Sequence, residues 1–145
     1  MTDNASIKVS VSRTFAARPE QVFDAWLDQS TAGRWLFATP TGQMVRVEID
    51  ARVGGRFTIV DRRDGEDVEH TGEFLELDRP RRLVFTCAVP KYSQDIDRVT
   101  VAISPLETGC GVTLTHEMDA KWAEWAAGTA EGWTDILAGL AETLK

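Results

Sequence analysis

The sequence is short of basic charge: 16 Lys+Arg stand against 23 Asp+Glu in 145 residues, a formal net charge of −7. Nucleic-acid binders draw most of their affinity from neutralised phosphates, and this chain carries the wrong sign for that. The same sign opposes docking to anionic lipid head groups. Long hydrophobic runs are missing as well. The longest clean one, Trp35–Ala38, is far below the ~20 residues of a membrane span. Met1–Ser10 holds one Lys and no apolar stretch, so no secretory leader is read there. Only two cysteines occur, Cys87 and Cys110, too few for a disulfide framework, and a chain able to build a sizeable core in a reducing cytosol needs none. These absences point to a cytoplasmic protein with neither nucleic acid nor membrane as partner.

Several chemical signatures are absent too. No Ser sits in a G-x-S-x-G elbow and no dinucleotide fingerprint appears. Gly54-Gly55 lacks the Lys and Ser/Thr of a nucleotide-triphosphate loop and reads as a bulged hairpin. His70, Cys87, Cys110 and His116 match no zinc spacing. No metal and no cofactor is therefore expected. Arg79, Arg81 and Arg82 read as a solvated corner.

What is present is an ordinary globular composition, 43% hydrophobic and 27% charged. Its length suits one domain, residues 1–145 with an ordered core of about 7–144. Ile7, Val9, Val11 and Phe15 carry the two-residue period of a half-buried strand. A helix is predicted over Pro19–Asp28, burying Val22, Phe23, Trp26 and Leu27. Ser30 is placed to cap a second, very short helix. From Gln43 to Met118 strand follows strand. Asp64-Gly65 marks a hairpin turn, and a phase slip between Phe74 and Leu75, after Gly72, marks a bulge. Short connections imply an antiparallel meander.

The last segment changes period. Trp122, Trp125, Thr129, Trp133, Ile136, Leu137, Leu140 and Leu144 follow the spacing of one amphipathic helix over Ala120–Leu144. Gly128 and Gly132 inside it each cost about 1 kcal/mol relative to Ala, so a close approach or space for a guest should compensate. The fold class is α+β: strand, two helices, six strands, helix, with a curved antiparallel sheet of six or seven strands around the last helix. One helix is ~10 Å wide and cannot seal such a sheet, so the gap is either a cavity or filled by large side chains.

The order and spacing of six segments carry a family resemblance. They are Pro19-x2-Val22-Phe23-x-Ala25-Trp26; Asp50-x-Arg52-Val53-Gly54-Gly55-Arg56-Phe57; Gly72-Glu73-Phe74; Pro80-x-Arg82-Leu83-Val84-Phe85-Thr86; Gly111-Val112-Thr113-Leu114-Thr115-His116; and Gly132-Trp133-x3-Leu137-x2-Leu140. From Ile7 to Leu144 the chain resembles the START-like (SRPBCC, helix-grip) superfamily, and within it bacterial proteins similar to the activator of heat-shock-protein-90 ATPase. The resemblance implies a hydrophobic pocket under the last helix and no single function. Relatives often carry Trp where Cys87 stands, and paired Trp where this chain has Trp35-Leu36.

The expected pocket lining comes from the inward strand faces and the last helix. The strands offer Phe57, Ile59, Phe74, Phe85, Cys87, Val101, Leu114 and His116. Trp35, Trp125, Thr129 and Trp133 come from the helical segments. Tyr92, in the Pro90–Asp97 loop, is placed as part of a lid. His116 shares the apolar face of its strand, either as a satisfied core histidine or aimed at a guest. His70 is a weaker candidate of the same kind. Asp61 lies on the face of Phe57 and Ile59, with a solvated position as its default. The leading functional expectation is a protein that binds a small hydrophobic or amphipathic molecule without defined catalysis. The alternatives are a cyclase, dehydratase or hydrolase using His116 with Asp61 or water, and a chaperone-cofactor-like interaction module. Composition leaves a homodimer open.

Overall fold

The computed structural model describes residues 6–39 and 41–144; the outer boundaries of the expected 1–145 unit lie outside them. The elements run β1 (Ser6–Phe15), α1 (Pro19–Ala25), a 3-10 turn (Ala32–Arg34), β2 (Gln43–Ile49), β3 (Arg56–Arg63), β4 (Glu66–Asp78) and β5 (Arg82–Cys87). There follow β6 (Asp97–Pro105), β7 (Cys110–Asp119), a second 3-10 turn (Ala120–Trp125) and α2 (Ala126–Thr143). Within the described residues seven strands form one antiparallel sheet in the order β1-β7-β6-β5-β4-β3-β2. This is the expected α+β arrangement of a curved sheet around a C-terminal helix. No helix of the described residues is long and apolar enough to cross a membrane.

Local chemistry explains the register. Asp64 and Gly65 take φ of 50° and 81° between the paired residues Arg63 and Glu66, the two-residue turn whose twist suits a hairpin. In β4 the pairing steps from Phe74↔Phe85 to Glu76↔Val84. Leu75 is the extra residue and is turned out to solvent, so the predicted phase slip is a bulge. Gly72 is needed for a close approach: a Cβ there would collide with the Thr86 carbonyl oxygen and come within 2.6 Å of the Phe57 ring.

Three helical expectations are corrected. α1 stops at Ala25 rather than Asp28; the Leu27 amide closes a tight turn onto the Asp24 carbonyl at 3.0 Å, and Leu27 is only half-buried. Ser30 does not cap the 3-10 turn, whose N-cap is Thr31; its hydroxyl donates to the Asp28 carboxylate at 2.6 Å. The last helix is not continuous from Ala120. Asp119 caps a 3-10 stretch by accepting from the Lys121 amide at 2.9 Å, and only then does the α-helix begin, at Ala126. Its 18 residues span ~27 Å.

The core lies on the concave face. Val22, Phe23, Trp26, Trp35, Leu137 and Leu140 close over Ile59, Leu83, Val101 and Leu114, all almost fully buried. The tight Gly72 position makes a specific prediction: Gly72→Ala forces the Phe57 ring and β5 backbone apart. It should destabilise the protein by about 2–3 kcal/mol in urea unfolding, whereas a change near zero would mean that the strands yield freely.

Candidate functional site

On the concave face a cleft of about 1040 Å³ opens between α2 with its 3-10 entry, the loop from β5 to β6, and the segment after the first 3-10 turn. The expected lining divides into three groups. Trp35, Cys87, His116, Trp125, Thr129 and Trp133 line this cleft. Phe57, Ile59, Phe74 and Phe85 instead surround a gap of about 10 Å³, room for one water at most. Val101 and Leu114 are wholly buried in the core. The correction has a physical cause: Trp26 fills the space over β3–β5. Its ring meets Trp35 edge-to-face at 4.8 Å and Phe85 at 6.0 Å, and Phe57 meets Phe85 at 5.6 Å. Aromatic volume closes that half, and the cleft is what remains beside α2.

His116 is buried, and both of its ring nitrogens are used. Trp133 Nε1 donates to Nδ1 at 2.8 Å, and Nε2 lies 2.8 Å from Asp97 Oδ2. An indole nitrogen can only donate, so Nδ1 must accept, and the imidazole proton sits on Nε2 and points at Asp97. Neither nitrogen is left to take a proton from a guest. His116 thus ties α2 to β7 and β6. Its partner was legible in the register: His116 faces Val99, so Asp97 is its diagonal neighbour on the same sheet face.

Asp61 is not solvated. It is 1% exposed and accepts from Thr39 Oγ1 at 2.9 Å and from Arg63 Nε at 2.8 Å. It pairs with Arg63, not with His116. Cys87 lines the cleft, but burial first, and the Asp97 charge second, push its thiol up to about 12. It is a protonated thiol at neutral pH and not a nucleophile. Among the described residues no group of three His, Cys, Asp or Glu converges as a metal site would require.

The residue that sequence reasoning underrated is His70. It lines the cleft, with its ring stacked on Phe37 at 4.2 Å and 7°. Nδ1 is buried without a partner. Burial, reinforced by the nearby Arg63 charge and opposed by Asp61, pushes its pKa down to about 4. Phe37 reaches this position through a φ of 60°, which no sequence pattern announces. Tyr92 lies at the mouth, largely exposed, as does Trp125. The loop carrying Tyr92 is anchored by Asp95, which accepts from Trp122 Nε1 at 2.6 Å and pairs with Lys121 at 3.0 Å. Those two donors hold the Asp95 carboxyl below the usual carboxylate range.

A family model described as Activator of Hsp90 ATPase homolog 1-like protein matches residues 16–145. The chain belongs to this family. The AHSA1-like protein of Aeromonas hydrophila is 27% identical, with a TM-score of 0.80 over 95% of this chain and 92% of that one. Protein CV1439 of Chromobacterium violaceum is 25% identical, with a TM-score of 0.83 over 93% and 94%. Protein SA2116 of Staphylococcus aureus, described as of unknown function, is 18% identical with a TM-score of 0.85 over 97% and 94%, a likeness of fold alone. Among curated proteins none matches the chain. The helix-grip fold and the family are therefore shared, and the site must be read from its own residues.

His70 gives this family member a defined pH response. Its imidazole is neutral in the fold near pH 7, while in the unfolded chain it takes up a proton below its ordinary 6.5. Its contribution is complete above about pH 6.5 and is lost as the pH falls toward about 4. Between pH 7 and pH 4 the unfolding free energy of the wild type minus that of His70→Gln should fall by about 2–3 kcal/mol in urea titrations. An unchanged difference would show a normally titrating imidazole.

Proposed function

We propose that this protein binds a small hydrophobic or amphipathic molecule in the cleft beside α2. The observation that carries the reading is a volume of about 1040 Å³ walled by Trp35, Phe37, Trp122, Trp125 and Trp133. Ligand sites are concave, mostly apolar, and carry a few placed polar groups. His70, Thr129 and Ser93 stand in this wall as such groups. The large exposed apolar residues Tyr92, Ile96 and Trp125 lie at or next to the mouth, where an apolar guest would enter.

The two helix glycines support the same reading. A Cβ at Gly128 or Gly132 would meet nothing within 4 Å, so no close approach requires either. Gly132 lines the cleft. Two glycines in one helix give up about 2 kcal/mol of helix propensity. At Gly132 that loss leaves open volume beside Trp133, where a guest fits.

N-phenyl-1-naphthylamine, uncharged and fluorescent in apolar surroundings, is a suitable probe. The wild type should give a saturable rise in its emission with matching quenching of tryptophan. Gly132→Leu should weaken binding by about tenfold or more by filling the cleft, while Gly132→Ala adds about 0.5–1 kcal/mol of stability and retains binding. No saturable signal in the wild type, or equal binding by Gly132→Leu, would sink the reading.

A further inference from the structure

The polar groups in the cleft wall fall into two sets. Asp95 is paired with Lys121, Asp97 with His116, and Arg63 with the buried Asp61. His70 is different: among the described residues neither of its ring nitrogens has a hydrogen-bond partner. Nδ1 is enclosed, and Nε2 is the nitrogen left to the cleft. A buried N–H without an acceptor is rarer and less tolerable than a bare lone pair. The proton therefore belongs on Nε2, and the cleft is offered a hydrogen-bond donor with no acceptor among the described residues to satisfy it.

Two further features limit what can supply that acceptor. The first is shape. His70 is stacked on Phe37, Phe37 meets Trp133 edge-on at 5.7 Å, and Trp35 completes the wall. Phe37 is also stacked with Phe57 at 6.3 Å, and these rings are buried, so the flat surfaces left open to a planar guest are those of the half-buried Trp122 and the exposed Trp125. The second is charge. With Asp95 and Arg63 each neutralised by an ion pair, the wall retains Arg34 against Asp97 and Asp135, an excess of one negative charge in a chain of net −7. An anion entering it would lose hydration and meet repulsion.

We propose that the guest is an uncharged aromatic carbonyl compound, such as an aryl ketone, quinone or ester, with its oxygen accepting from His70 Nε2 and its ring in the cleft between Trp122 and Trp125 and the buried wall. This inference rests on the ligand-binding reading and goes beyond it by naming the guest's chemistry. His70 is then the residue that selects a carbonyl over a hydrocarbon, and the acidic balance of the wall selects it over a carboxylate.

Three naphthalene fragments separate these effects: 2-acetylnaphthalene, its hydrocarbon counterpart 2-isopropylnaphthalene, and 2-naphthoate. In tryptophan-quenching titrations of the full chain at pH 7, His70→Phe should weaken the ketone by about three- to tenfold and leave the hydrocarbon within about twofold. His70→Gln, which keeps a donor, should recover most of the ketone affinity. The wild type should bind naphthoate at least about tenfold more weakly than the ketone. A measurement on the wild type alone is ring-nitrogen NMR, where Nε2 of His70 carries the proton and shifts on saturation with the ketone but not with the hydrocarbon. Equal losses for ketone and hydrocarbon in His70→Phe, tightest binding of naphthoate, or an unshifted Nε2 would each overturn the assignment while leaving ligand binding intact. Absence of binding by all three would overturn both.

Discussion

The width of one helix sets the terms for everything else in this molecule. Seven strands at about 4.8 Å spacing make a surface roughly 29 Å across, and a helix covers about 10 Å of it. The sequence meets the shortfall in two ways. Over β3–β5 it sends in α1 and the following turn, whose Trp26 and Trp35 meet edge-to-face, with Trp26 tilted over Phe85 and Phe85 edge-on to Phe57. Beside α2 it supplies less volume: Gly132 in the helix and Cys87 on the sheet. The solid half supports the fold, and the hollow half is available to a guest.

Polar bonds hold the hollow half open. Trp133, His116 and Asp97 form a chain of two 2.8 Å hydrogen bonds from α2 across β7 to the start of β6. Such a chain fixes the distance between helix and sheet in a way that apolar packing alone would not, because each buried polar group loses its partner if the helix sinks inward. Asp95 does the same for the mouth by binding Trp122 and Lys121. The histidine that looks catalytic from its strand position is a structural tie, and the less conspicuous one lines the cleft without a hydrogen-bond partner among the described residues.

Much of the architecture was legible in residue periodicity and turn chemistry. Alternation located the strands, Asp64-Gly65 marked the hairpin, and the slip at Phe74–Leu75 marked the bulge. The start of α2 was not legible, since Trp122 and Trp125 keep helical spacing through a stretch that a side-chain cap and the Asp95 contacts hold in 3-10 form. Alternation also tells which residues face inward but not how deep the space in front of them is. Phe57 and Cys87 both point to the concave face, yet one meets Phe85 and Gly72 while the other meets open volume. The burial of Asp61 under Thr39 and the stacking of His70 on Phe37 are contacts between distant parts of the chain, the second made through an unusual backbone angle.

The sheet order has a consequence for how the molecule is made. β1 lies at an edge, and its one neighbour in the sheet is β7, with Ser6 opposite Asp119. β1 must therefore wait for β7 before it can pair in this sheet. Closing so long a loop is entropically slow, and it places the joining of β1 to β7 late in folding. Until β7 has been made, β1 is an unpaired edge, and its alternating Ser10 and Ser12, whose hydroxyls later meet Thr115 and Thr113, keep one face of that waiting strand hydrophilic.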